Sequence, residues 1–214
     1  MEAQRWDTMY RSREQVFSGN PNGVLVAEAA DLPPGRALDV GCGEGGDALW
    51  LARRGWHVTA ADVSEVALRR AAATDTATAT DVRGSVSWER TDLLTTPPPA
   101  DAFGLVSVHY FPLRRRPGHT ALRGLLNAVA PGGTFLFATH VLTDLPPRQD
   151  GGPDPADYYQ ADDIARLLPQ LTGPAWAVEA NETRPRVTPA PVGTHHTHDS
   201  VLRARRGGGG GSST

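Results

Sequence analysis

Only one cysteine, Cys42, stands among the 214 residues, so no intrachain disulfide can form and a thiolate zinc site is not expected. Lysine is absent: all 21 basic residues are arginine, which reads as codon bias rather than chemistry. Excess positive charge is also missing, the formal net charge being -3. Nucleic acid and anionic membranes need clustered positive charge, so neither is expected as a partner. No apolar run approaches the roughly 18 to 20 residues that span a bilayer. Met1 to Arg13 is polar and has no apolar signal core, so the expected location is the cytoplasm. No internal repeat and no second domain are evident, and nothing in the sequence sets an oligomeric state.

What is present is an alternation of short apolar runs with helical patterns, the mark of a parallel α/β sheet. Strands are expected at Arg36–Val40, His57–Ala61, Ser85–Glu89, Phe103–Val108 and Thr134–Thr139. Helices are expected at Val24–Ala30, Asp47–Arg54, from Ser64 into the alanine-rich stretch, and at Thr120–Ala130, where Pro131-Gly132-Gly133 turns the chain. Beyond a Pro/Gly/Asp-rich loop at Leu145–Pro155, a short helix at Asp162–Leu168 and strands at Trp176–Glu182 and Ser200–Ala204 complete the pattern. The expected fold is α/β: a Rossmann-like, doubly wound, mostly parallel seven-stranded sheet with helices on both faces. It forms a single domain over residues 1–206, opened by an N-terminal helical lid at 1–30. The Gly/Ser tail at 207–214 cannot bury apolar surface and is expected to be disordered.

Leu38-Asp39-Val40-Gly41-Cys42-Gly43-Glu44-Gly45-Gly46 joins the first strand to the next helix. Glycines there let the backbone turn tightly and approach a ligand. Gly41, Gly43 and Gly46 satisfy the dinucleotide pattern, and Asp62 lies where a ribose-binding acid should. A nicotinamide or flavin enzyme therefore stays open at this point. Two acids argue otherwise. Asp39, two residues before the first glycine, suits a ligand's ammonium group and would repel a pyrophosphate. Asp92, after the third strand, can accept from an adenine amino group while Leu93 packs on the ring.

With these pieces in order, the chain resembles the class I S-adenosylmethionine-dependent methyltransferases. The match runs through Leu38 to Gly45, Val58 to Ser64, Arg90-Thr91-Asp92-Leu93-Leu94, Phe103 to Tyr110 and Ala130 to Thr134, covering residues 36–140. The resemblance implies S-adenosylmethionine as cofactor. Asp39 with Gly41, Cys42, Gly43 and Gly45 would surround its methionine moiety. Asp62 and Val63 would hold the ribose, Asp92 and Leu93 the adenine, with Val108 on the fourth strand nearby. Trp6-Asp7-Thr8-Met9-Tyr10 resembles the start of small-molecule methyltransferases of the tellurite-resistance and thiopurine type, which implies an N-terminal helix carrying Trp6 and Tyr10 over the cofactor. Beyond residue 145 the chain matches neither subfamily.

The expected reaction is methyl transfer to a heteroatom of a small-molecule acceptor. A nicotinamide-dependent oxidoreductase and a non-catalytic S-adenosylmethionine-binding protein are the alternatives. His109, Tyr110 and His140 end strands at the edge where substrates bind, and are the candidate catalytic groups, His109 first as a general base. Each also reads as a satisfied structural group. Likewise Asp62 also reads as a helix cap, Asp92 as a turn cap, and Trp6 and Tyr10, four residues apart, as core. Cys42 reads as a small residue under the loop rather than a nucleophile. His195, His196 and His198 have no evident carboxylate partner and are not expected to bind a metal. Arg114-Arg115-Arg116 reads as a solvated loop.

Overall fold

The computed structural model describes residues 2–78, 83–141, 154–173, 175–187 and 196–208. The elements run α1 (Glu2–Arg11), α2 (Gly23–Ala29), β1 (Arg36–Val40), α3 (Gly46–Arg53), β2 (His57–Asp62), α4 (Glu65–Thr78), β3 (Ser85–Arg90), β4 (Phe103–His109), α5 (Thr120–Ala128), β5 (Val129–His140), α6 (Ala161–Thr172), β6 (Trp176–Pro185) and β7 (His198–Arg206). They build one seven-stranded sheet of order β3-β2-β1-β4-β5-β7-β6. The strands β1 to β5 are parallel, and β7 runs antiparallel between β5 and β6.

Strand periodicity divides the core into two layers. Val106, Val108, Phe135, Phe137 and Leu202 point to one face, where Leu122, Leu125 and Leu126 of α5 and Ile164 of α6 cover them. Their strand neighbours Leu105, Leu136, Ala138 and Val201 point to the other, beneath Val24 and Leu25 of α2 and Ala48 and Leu51 of α3. Both faces are buried beneath helices, as expected of a doubly covered parallel sheet. Burying each large aliphatic or aromatic side chain in this way contributes about 1.5–3 kcal/mol.

Several boundaries differ from those expected. The strand β5 begins at Val129 and absorbs Pro131–Gly133, with a register shift against β4 between Phe103 and Leu105; the expected turn is a bulge within a ladder. The helix α6 runs to Thr172 because its amphipathic face continues past Pro169, and Asp163 accepts the Gln160 N–H at its start. Both β6 and β7 outrun their apolar segments, since their long antiparallel ladder brings His198 opposite Pro185. The helix α2, expected within the lid, belongs to the core: Val24, Leu25 and Ala29 are fully buried. His195, most of the 145–155 loop and residues 209–214 lie outside the described residues.

Candidate functional site

The site begins where β1 hands over to α3. The N–H groups of Gly41 and Cys42 both donate to Ala61 O, at 2.8 and 3.1 Å, which ties the glycine loop to the end of β2. Gly41, Gly43 and Gly45 adopt φ of +69°, +54° and +85°, the left-handed region that favours glycine. A β-carbon at Gly41 would come within 2.6 Å of the Phe111 ring, and one at Gly43 within 2.8 Å of the Tyr10 hydroxyl. The glycines thus admit neighbours from two distant segments. A cavity of about 600 Å³ opens here, at the C-terminal ends of the strands and over the β1/β4 boundary where strand order reverses. Its size suits a small molecule.

Of the residues singled out in the sequence, Trp6, Tyr10, Asp39, Gly41, Cys42, Gly43, Asp62, Val63, Leu93, His109 and Tyr110 line this cavity. Gly45, Asp92, Val108 and His140 are not on its wall. Gly45 is packed by the Trp88 ring, and Val108 is wholly buried in the sheet.

The three acids differ in what they already hold. Asp39 is buried, and its Oδ2 has no hydrogen-bond partner. Burial first, then the nearby carboxylates of Asp47 and Asp62, push its carboxyl well above the usual range. Leaving such an oxygen unsatisfied costs about 1–3 kcal/mol, a cost tolerated where a ligand will supply the partner. Asp62 is engaged structurally: Oδ2 accepts from Gly43 N at 3.0 Å and Oδ1 from Ser64 N at 2.8 Å. It therefore does the capping work weighed against its ligand role, while still facing the cavity. Asp92 accepts from Leu94 N at 3.0 Å in a local turn, and it is Thr91 and Leu93 on either side that face the cavity.

His109 closes β4, with its side chain 2% exposed. Its Nδ1 lies 3.1 Å from Asp47 Oδ2 and 2.9 Å from Ser107 Oγ, while Nε2 is buried without a partner. Asp47 also accepts from Asn22, through the backbone N–H at 2.6 Å and the side-chain amide at 2.8 Å. Burial raises the Asp47 carboxyl, but the His109 contact and the two Asn22 bonds outweigh it and hold the group below its ordinary value. The sequence reading missed Asp47, because an acid in the first turn of a helix reads as a macrodipole partner. Its position directly behind the glycine loop was the available signal.

Tyr110 follows with φ +51°, a left-handed conformation rare outside glycine and costing about 1–3 kcal/mol. Its ring stacks on His140 at 4.6 Å, with the Arg186 guanidinium 4.9 Å from the ring centre on the cavity wall. Its hydroxyl donates to Asp199 Oδ1 at 2.7 Å. Burial and that carboxylate drive the phenol far above its ordinary value, so Tyr110 keeps its proton. His140 stacks in turn on His196, with ring centres 3.5 Å apart.

The N-terminal segment is fastened by carboxylates. Asp7 of α1 accepts from Ser64 Oγ at 2.7 Å and from Val66 N at 3.2 Å, capping α4 beside Asp62. Glu44 of the glycine loop accepts from Val16 N and Phe17 N and pairs with Arg70 at 2.9 Å. Around these ties Trp6, Met9 and Tyr10 form a small apolar cluster with Val66 and Ala67, apart from the two main core layers. Burial first, then the surrounding acids, raise the Cys42 thiol well above its ordinary value, which leaves it protonated and unreactive. Among the described residues, no group of three histidine, cysteine or acidic side chains is placed to hold a metal ion. No helix among them is long and apolar enough to cross a membrane.

Residues 37–133 match a family model described as a methyltransferase domain. Uncharacterised methyltransferases of Mycobacterium tuberculosis and Mycobacterium bovis are 38% identical over 112 residues, 50% of this chain and 52% of theirs. The chain spans about half the length of the curated relatives it matches. A protein solved in work on the conversion of a disulfide bond into a thioacetal group during echinomycin biosynthesis superposes with a TM-score of 0.68 at 23% identity, covering 100% of this chain and 95% of its own. The Burkholderia thailandensis 1,6-didemethyltoxoflavin-N1-methyltransferase, with 1,6-didemethyltoxoflavin and S-adenosylhomocysteine bound, superposes with a TM-score of 0.65 at 17% identity, covering 96% of this chain and 87% of its own. At these identities the likeness is one of fold.

Proposed function

From the match of residues 37–133 to the methyltransferase domain model, and the class I S-adenosylmethionine-dependent methyltransferase fold of the chain, we propose that the protein methylates a heteroatom of a small molecule in the cytoplasm. The observation that carries this reading is Asp39: a buried carboxyl oxygen with no partner, on the wall of the cavity and two residues ahead of the first loop glycine. An ammonium group supplies what that oxygen lacks. A pyrophosphate carries no donor for that oxygen and would oppose ionisation of the carboxyl, which weighs against the nicotinamide alternative.

The residues fit S-adenosylmethionine in order along the wall. Asp39 and the turn at Gly41–Gly43 receive the methionine end, Asp62 with Val63 the ribose, and Leu93 with the Asp92 turn the adenine. When bound, the cofactor supplies a methyl group on a positively charged sulfur that leaves as a neutral thioether. The chain's own work is alignment and exclusion of water, and good alignment alone supplies up to about 7–11 kcal/mol in model systems. Trp6 and Tyr10 cover the cavity from α1. His109 is the proton acceptor, since Tyr110 is committed as a donor to Asp199. His140 supports the Tyr110 ring by stacking. Isothermal calorimetry with S-adenosylmethionine, S-adenosylhomocysteine and NAD tests the reading. Micromolar binding of the first two and none of NAD is expected; tight NAD binding without heat from S-adenosylmethionine would overturn it.

A further inference from the structure

Resting on the methyl-transfer reading, we propose that Asp47 is a positioning residue that fixes His109 in the Nδ1–H form, and that the acceptor arrives as a neutral hydroxyl, phenol or ring N–H that gives its proton to His109 Nε2. A thiolate or other preformed anion would need none of this apparatus.

The geometry sets the tautomer. Asp47 is bound by two Asn22 donors, so its carboxylate cannot swing away, and Oδ2 faces His109 Nδ1 at 3.1 Å. An ionised carboxylate only accepts, so the proton between them sits on Nδ1. Ser107 Oγ, 2.9 Å from the same nitrogen, then serves as a second acceptor. Were Ser107 to donate instead, Nδ1 would turn a lone pair on the carboxylate. The lone pair of the neutral ring is thereby placed on Nε2, the buried atom left without a partner. His109, Asp47 and Asn22 all lie on the cavity wall.

The step balances. The acceptor's X–H bond breaks and its electron pair closes on the methyl carbon as the carbon–sulfur bond breaks, leaving a neutral thioether. The proton joins the Nε2 lone pair, and the resulting imidazolium is neutralised by Asp47, which stays ionised. The arrangement also makes the N-terminal segment part of the apparatus, because Asn22 aims Asp47.

The test reads the ring directly. Full-length protein labelled with ¹⁵N-histidine is examined by long-range ¹⁵N–¹H correlation, with and without S-adenosylhomocysteine, the His109 signals being assigned by their loss in His109→Gln. A protonated Nδ1 and an unprotonated Nε2 are expected, unchanged in Ser107→Ala and lost in an Asp47→Ala protein that still melts cooperatively. A protonated Nε2 in the unaltered protein, or an Asp47→Ala spectrum identical to it, would overturn the proposal. These spectra need no turnover, so they decide the dyad even if the methyl-transfer reading fails. The acceptor class is read by mass spectrometry of metabolite extracts incubated with methyl-labelled cofactor. Label on oxygen or nitrogen is expected, falling about 10- to 100-fold with Asp47→Ala; label carried on thiol sulfur overturns that half.

Discussion

Asp39 and Asp62 sit on one cavity wall but have opposite relations to it, and their variants should behave differently. Asp39 is raised by burial and by two neighbouring acids. Its folded-state value therefore exceeds the unfolded one, so the folded protein binds the extra proton between the two values. Stability then falls as pH rises through that window. An arriving ammonium group ionises the carboxyl and releases the proton. Affinity for S-adenosylmethionine should accordingly rise with pH across the same window, with a proton released on binding, and Asp39→Asn should flatten both trends. Calorimetry in buffers of different ionisation enthalpy measures the release. In the proposed complex Asp62→Ala would remove an acceptor from the ribose, and it removes an anchor from Gly43 N. Charge-assisted hydrogen bonds are worth about 1.5–3 kcal/mol, so cofactor affinity should fall roughly 10- to 100-fold, more than kcat does. An unchanged dissociation constant would leave Asp62 as a cap alone.

The N-terminal segment and the glycine loop are two elements joined by polar ties, while the segment's apolar residues cluster apart from the main core. Removing residues 1–12 should leave the sheet folded, with a cooperative melt. It should lower kcat/KM at least about 100-fold, or roughly 2.7 kcal/mol, by admitting water and loosening alignment. Thermal melting against turnover separates the outcomes: normal turnover shows that α1 is no lid, and a lost cooperative melt shows that it is core. At this scale the sequence was legible in one direction. The shared helical face of Trp6 and Tyr10 could be read from their spacing, and the glycine loop from its composition. The ties could not, because Asp7 meets Ser64 across 57 residues and Glu44 meets Phe17 across 27, and no local pattern encodes such pairs. For the same reason α2 read as lid: seven residues between turns do not reveal that Val24 and Leu25 lie under the sheet.

Across the whole molecule the parallel half of the sheet was plain in the sequence, since β1, β2 and β4 are apolar runs with turn signals at each end. The outer strands could be read too, at Trp176–Glu182 and Ser200–Ala204, but not their full lengths, because β6 is largely exposed and its far end is defined by its ladder to β7 rather than by its composition. Activity should survive chelation, because displacement at a sulfonium carbon needs no Lewis acid. A loss with chelator that zinc restores would instead give His196 and His198 a ligand role. The strand order has a further consequence, for synthesis. The strand β6 pairs with β7 and with no other described strand, yet β7 follows it in the chain and must slide between it and β5. As the polypeptide leaves the ribosome, β1 to β5 can assemble behind it, but Trp176–Pro185 emerges with no neighbour to join. Until residues 198–206 clear the exit, β5 presents an open flank to its surroundings, and that interval is when a nascent chain of this topology most needs a chaperone.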